Sequence, residues 1–116
     1  WKLESDPTAT YLSGVDKLAL TPEETAQVNN YNTYVVPALP VGPICNPSAL
    51  AMEAALHPDL QFMADGYMFF CAKEPTSGEL AFSKTAEEHA ANVAQYRPLW
   101  EAYDRQRELE RQNSAT

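Results

Sequence analysis

Residues 31–47 read YNTYVVPALPVGPICNP, with four prolines, one glycine and two asparagines. Each proline pins its own φ and drives the residue before it toward extended geometry, so Gly42 is the position expected to turn freely. A loop constrained this heavily positions polar side chains as well as connecting elements. Tyrosine offers a stacking face and a hydroxyl, and asparagine offers a donor and an acceptor together, a combination that suits sugars and amides. The same side chains also suit the loop's own unpaired backbone groups. The residues alone leave both readings open.

Outward from this loop, three Pro-containing helix starts organise the first half. Asp6-Pro7 reads as an N-cap followed by a proline at N1, opening a short helix that ends by Gly14. Thr21-Pro22-Glu23-Glu24 repeats the pattern, with two acids in the first turn where the helix dipole favours them. Asn46-Pro47 opens the run SALAMEAAL, which stops before His57-Pro58. Further on, Leu60–Ala64 and Tyr67–Lys73 read as strands around an Asp65-Gly66 hairpin turn. The nearly continuous apolar run YMFFCA is expected to be covered on both faces. A looser turn at Glu74–Gly78 leads to a strand at Glu79–Ser83.

The last third is helical. Thr85 and Glu88 form a capping box, and Val93, Tyr96, Trp100 and Tyr103 make one apolar stripe. Pro98 is expected to kink or split this helix. The polar end is expected to fray past about Leu109, leaving 111–116 as a frayed tail. The fold class is therefore α+β. It is a single small domain at 1–110, with short helices, a Pro-rich loop, a small β-hairpin or three-stranded sheet, and a long kinked C-terminal helix.

Composition excludes several functions. A formal charge of −8 over 116 residues, with only 8 basic side chains, argues against nucleic acid as a partner, because phosphate binding needs clustered Lys and Arg. No apolar run approaches the roughly 18 residues of a membrane span, and no signal-peptide pattern is present. The chain opens at Trp1 on a structured segment, as a processed or cut-down product would, with any anchor removed. Cys45 and Cys71 are equally compatible with one disulfide and with two buried free thiols. His57 and His89 stand outside any ligand spacing, so no metal is expected. No G-x-S-x-G setting and no phosphate-cradling glycine loop occurs either.

His57, at a helix end beside Pro58, reads as a C-terminal capping group. His89 reads either as a helix-seating residue bonded to a loop carbonyl or as a group at the rim of a cleft. Glu53, Glu87 and Glu88 are ordinary helix-surface acids. Glu4 and Asp6 stand out, since they flank a rigid turn in a segment with no other reason to be acidic.

In order, the motifs Leu3-Glu4-Ser5-Asp6-Pro7-Thr8, Tyr31-Asn32-Thr33-Tyr34, Leu39-Pro40-Val41-Gly42-Pro43-Ile44-Cys45-Asn46-Pro47, Phe82-Ser83-Lys84-Thr85, His89 and Tyr96-Arg97 resemble the C-terminal part of the endolytic murein transglycosylase family (MltG/YceG-like). The resemblance covers about residues 2–97. It implies a membrane-anchored family working on peptidoglycan outside the cytoplasmic membrane. Members cleave the MurNAc–GlcNAc β-1,4 bond without water and leave a 1,6-anhydroMurNAc end. One glutamic acid serves as acid and then base, with no metal or cofactor. That glutamate belongs to an A-S-[IV]-[IV]-E-K-E helix, and these residues contain no such motif; the family's LysM-like part is absent from them too. Glu4 and Val41 also depart from the family's glutamine and proline.

Glu4 is the one substitute candidate for the acid; that role needs a pKa raised by burial or by a close carboxylate, and Asp6 is the neighbouring carboxylate. The resemblance implies that Asp6, Thr8, Tyr31, Asn32, Thr33, Tyr34 and Asn46 line a glycan cleft or hold its walls. Peptidoglycan strands are the implied partner. The other reading is a non-catalytic module that binds peptidoglycan or contacts cell-wall synthesis proteins. A homodimer burying apolar surface near Leu3 and Tyr11 is a further expectation.

Overall fold

A computed structural model describes residues 1–115 and divides the chain into two compact units, one spanning Trp1–Ser48 and the other starting at Ala49. No shift in composition marks this boundary in the sequence.

The first unit is mostly ordered loop around two short helices, α1 (Asp6–Thr10) and α2 (Pro22–Thr25), which pack on one another. Its buried apolar side chains are small, Ala9, Ala19 and Leu20, and three polar residues are buried with them, Thr8, Asn32 and Thr33. The α2 start is a full capping box: Thr21 Oγ1 accepts from the Glu24 amide, and the Glu24 carboxylate accepts from the Thr21 amide. These bonds satisfy two donors that a helix start otherwise leaves open. The α1 start differs from expectation. Ser5 occupies the N-cap position, and Asp6 is the first helical residue with no capping bond. The Asp6 side chain is engaged elsewhere.

The second unit contains α3 (Ala49–Leu56), α4 (Leu60–Asp65), β1 (Phe69–Ala72), β2 (Leu80–Ser83) and α5 (Ala86–Ser114). The two strands pair antiparallel, with Phe70 opposite Phe82 and Cys71 opposite Ala81. Period-two alternation turns Ala81 and Ser83 inward and leaves Leu80 and Phe82 exposed. Helix α5 lies across both strands. Trp100 anchors it, buried and donating its indole N–H to the Ala72 carbonyl at 3.2 Å. Burial of so large a ring is favourable once its one donor is satisfied.

Several expectations are corrected here. Leu60–Ala64 is helix, not strand. Asp59 caps it by accepting from the Phe62 amide, and Gly66, at φ 77°, ends it. Asp65-Gly66 is thus a helix terminus in which glycine takes the left-handed conformation. The sheet accordingly has two strands. The YMFFCA run is covered on one face only, because Phe70 is 64% exposed. Helix α3 begins at Ala49, beyond Asn46-Pro47. Pro98 does not split α5, which continues through it to Ser114, past the expected fraying point at Leu109. Of the tail at 111–116, Thr116 lies outside the described residues. Cys45 is an exposed free thiol, and Cys71 is a buried one whose pKa burial pushes up. No helix among the described residues is long and apolar enough to cross a membrane.

Candidate functional site

In the first unit, residues 4–8 meet residues 31–34 through a closed set of hydrogen bonds. Thr8 Oγ1 donates to the Ser5 carbonyl at 2.6 Å, and the Thr33 amide donates to Thr8 Oγ1 at 3.0 Å. The two threonine hydroxyls lie 2.7 Å apart. Since Thr8 has already given its proton to Ser5, the Thr33 hydroxyl is the donor in that pair. Thr33 Oγ1 in turn accepts from the Ser5 amide at 2.9 Å, and the Glu4 amide reaches the Thr33 carbonyl. Neither hydroxyl has a donor left for a ligand, and both threonines are almost wholly buried. They are the frame of the site.

Asn32 is also wholly buried. Its amide nitrogen donates to the Thr25 and Gln27 carbonyls at 2.9 and 2.7 Å, and its Oδ1 accepts from the Tyr34 amide at 3.0 Å. One side chain thereby ties the end of α2 to the turn that follows. Asn29, just outside the Pro-rich loop, adds a second fastening: its Oδ1 accepts from the Tyr31 and Asn32 amides. Sequence reading passed over Asn29. An Asx turn bonding two residues ahead was the available signal.

On this frame stand the groups that face outward. Tyr34 Oη donates to Asp6 Oδ1, joining positions 28 residues apart. The Tyr34 hydroxyl is pushed well above its ordinary pKa, first by burial, then by the bond to Asp6, and then by the charges of Asp6 and Glu4. It therefore stays a proton donor throughout the neutral range. Glu4 is exposed and carries φ 50°, an uncommon conformation for a residue with a Cβ. Glu4 also lines an open depression of about 310 Å³ together with Trp1 and Lys2. Tyr31 is half-buried, with its ring 4.7 Å from that of Tyr11. Gly42 is needed for a reason other than the free turn expected of it. A Cβ there would lie 3.3 Å from Tyr31 Oη, so the glycine makes room for the tyrosine and has no left-handed φ. Asn46 is exposed, on the same Pro-rich segment.

The structure thus brings Glu4, Asp6, Thr8, Thr33 and Tyr34 together, with Asn32 bonded behind them. His89 belongs to the second unit. Its ring stacks on Phe69 at 5.3 Å, and its Nδ1 is buried without a partner, so the loop-carbonyl bond is not made by that nitrogen. The described residues contain no group of three or more His, Cys, Asp or Glu placed to hold a metal.

The Glu4 and Asp6 carboxylates and the Tyr34 hydroxyl thus stand over a rigid, buried, hydrogen-bonded frame. The sequence model of the YceG-like family matches residues 1–95, and the chain belongs to that family. It is 39% identical over 87 residues to the endolytic murein transglycosylase of Bacillus subtilis (strain 168), a match covering 75% of this chain and 22% of that protein. It is similar in structure to a yceG-like protein from Listeria monocytogenes, with a TM-score of 0.65 and 39% identity over 78% of this chain and 28% of the other. The chain spans only 22% and 28% of the length of these two relatives.

Proposed function

We propose that this chain forms one wall of the glycan cleft of a peptidoglycan lytic transglycosylase acting outside the cytoplasmic membrane. The reaction is cleavage of the MurNAc–GlcNAc β-1,4 bond to give a 1,6-anhydroMurNAc end. The observation carrying this reading is the Tyr34–Asp6 pair, set on the saturated Thr8–Thr33 frame in a chain 39% identical to an endolytic murein transglycosylase. The Asp6 and Glu4 carboxyl groups present acceptors for sugar hydroxyls and for the N–H of an N-acetyl group. Tyr34 holds the Asp6 carboxylate in one orientation, which lowers the entropy lost when a sugar binds. Tyr31 and Asn46 add a ring and an amide from the Pro-rich segment, while Thr8, Asn32 and Thr33 keep the wall rigid.

The chemistry of bond cleavage needs an acid with a raised pKa, and none of the glutamates here sits in a buried, apolar setting. The wall positions the strand, and the family's glutamate motif, which does not occur in these residues, supplies the acid. Titration of the chain with uncrosslinked glycan strands tests the reading. Tyr34→Ala is expected to weaken binding by about tenfold, equivalent to about 1.4 kcal/mol. Tyr34→Phe, which keeps the ring and frees Asp6, is expected to fall between the two. Binding unchanged in both variants contradicts the proposal.

A further inference from the structure

The second unit carries a depression of about 530 Å³ where β2 meets α5. That volume lies within the range of about 300–1,000 Å³ typical of small-ligand sites. Three aromatic rings, Phe62, Tyr67 and Phe82, line it. The Phe62 and Tyr67 rings stack at 4.9 Å and 24°, and Phe82 meets Phe62 edge-on at 4.9 Å. Tyr67 and Phe82 remain 36% and 46% exposed, although a packed cluster of this kind usually closes over its rings.

Polar groups share the lining. Lys73, Asn92 and Tyr96 project into the same space, and none of their side chains has a hydrogen-bond or ion-pair partner among the described residues. Lys84 sits over the Tyr67 ring at 5.1 Å, again with no carboxylate partner. Two ammonium groups without a carboxylate partner among the described residues, beside one aromatic platform, stand out on a chain with 16 acids and 8 basic residues. Stacking rings, a free amide, a free phenol and local positive charge together fit a sugar that bears a carboxylate. A neutral sugar would leave Lys73 unanswered, and a purely apolar partner would bury the Asn92 amide unpaired, which is costly.

We propose that this depression is a second saccharide-binding site, selective for acidic amino-sugar strands over neutral ones. It rests on the transglycosylase reading only for the source of such a strand. The rings stack on a pyranose face, Asn92 and Tyr96 hydrogen-bond its substituents, and Lys73 pairs with the carboxylate.

The test is amide-resonance mapping on the full chain, titrated in parallel with uncrosslinked peptidoglycan strands stripped of their stem peptides, so that the sugar carboxylates are free, and with a neutral chito-oligosaccharide. The expected result is a shift of the Asn92 side-chain amide and of Tyr67 and Phe82, with the peptidoglycan strand bound more tightly. K73E should cost about tenfold for that strand and leave the neutral one unchanged, because only the former supplies a charge partner. Its backbone N–H still bonds the Glu79 carbonyl. Equal affinity for the two oligosaccharides, unmoved by K73E, overturns the inference. Shifts confined to residues 1–48 also overturn it and leave the wall of the first unit standing. Shifts confined to the depression support it and count against that wall.

Discussion

Thr33→Val tests whether the frame of the first unit is built as described. The substitution keeps shape and removes one hydroxyl. It abolishes the bond to Thr8 Oγ1 and leaves the Ser5 amide without the acceptor it now has at 2.9 Å. Thr8 still donates to the Ser5 carbonyl, so its own hydroxyl stays satisfied. Each lost bond is worth about 0.5–1.5 kcal/mol net, and an unpaired, partly buried amide adds about 1–3 kcal/mol. Counting one lost hydroxyl bond and one unpaired amide, the expected cost is about 1.5–4.5 kcal/mol. Thr33→Ser provides the control: it keeps both bonds and loses one methyl, at about 0.8 kcal/mol. The assay is urea unfolding followed by amide signals from residues 1–48, comparing midpoints at constant slope. A Thr8→Val, Thr33→Val cycle should show coupling of about 1 kcal/mol or more, as expected for residues in one network. A Thr33→Val cost below about 0.5 kcal/mol, or below that of Thr33→Ser, refutes the reasoning.

The other predictions concern pH and packing. Tyr34 has a folded pKa raised above its ordinary value of 10.0, so its stabilisation is full below that pH and is lost as pH climbs through the folded value. Tyr34→Phe should therefore be less stable than the native chain at pH 7, with the gap narrowing above pH 10. Glu24 shows the opposite sign. Burial raises its pKa, but the bonds from Lys17 and Thr21 and the Lys17 charge outweigh burial, and the net pKa is lowered below 4.5. Its contribution is present above pH 4.5 and fades as pH falls through the folded value, and Glu24→Gln should flatten that part of the acid unfolding curve. Thr21→Ala removes the cap of α2 and should cost about 0.5–2 kcal/mol in a urea melt read from the first unit. Trp100→Phe removes the bond to Ala72 and part of the buried ring, and should cost about 1–3 kcal/mol in the same experiment read from residues 69–100.

The sequence was most legible where a local rule acts alone. Thr21, Thr85 and the Glu74–Gly78 turn mark element ends through chemistry within a few residues of themselves, and the structure places helix starts and a strand connection there. The stripe from Val93 to Trp100 is legible because its 3–4 spacing follows the helical period, and α5 runs unbroken through it. Leu60–Asp65 was not legible. Six residues are too few to separate a helical period from a strand's, and the deciding cap, Asp59, has no acid or amide three residues on to complete a capping box. Pro98 was misread for splitting because the helix on both sides of it, pinned by Trp100, outweighs one missing amide bond. The YNTY residues left ligand contact and bonding to the loop's own backbone equally open, and Asn32 makes the backbone bonds. That Asn32 and Thr33 point inward is a tertiary fact, set by Thr8, Thr25 and Gln27. The aromatic depression was missed because Phe62 and Phe82 are 20 positions apart and Phe62 had been read into a strand.

The most direct measurement is mass spectrometry of uncrosslinked peptidoglycan strands incubated with the chain, alongside a binding titration of the same strands. The account predicts saturable binding that depends on Tyr34 and Asp6, with no 1,6-anhydro-muropeptide released. Release of that product, abolished by Glu4→Gln, would show that this wall carries its own acid and contradict the division of labour proposed here; absence of any binding would contradict the wall itself.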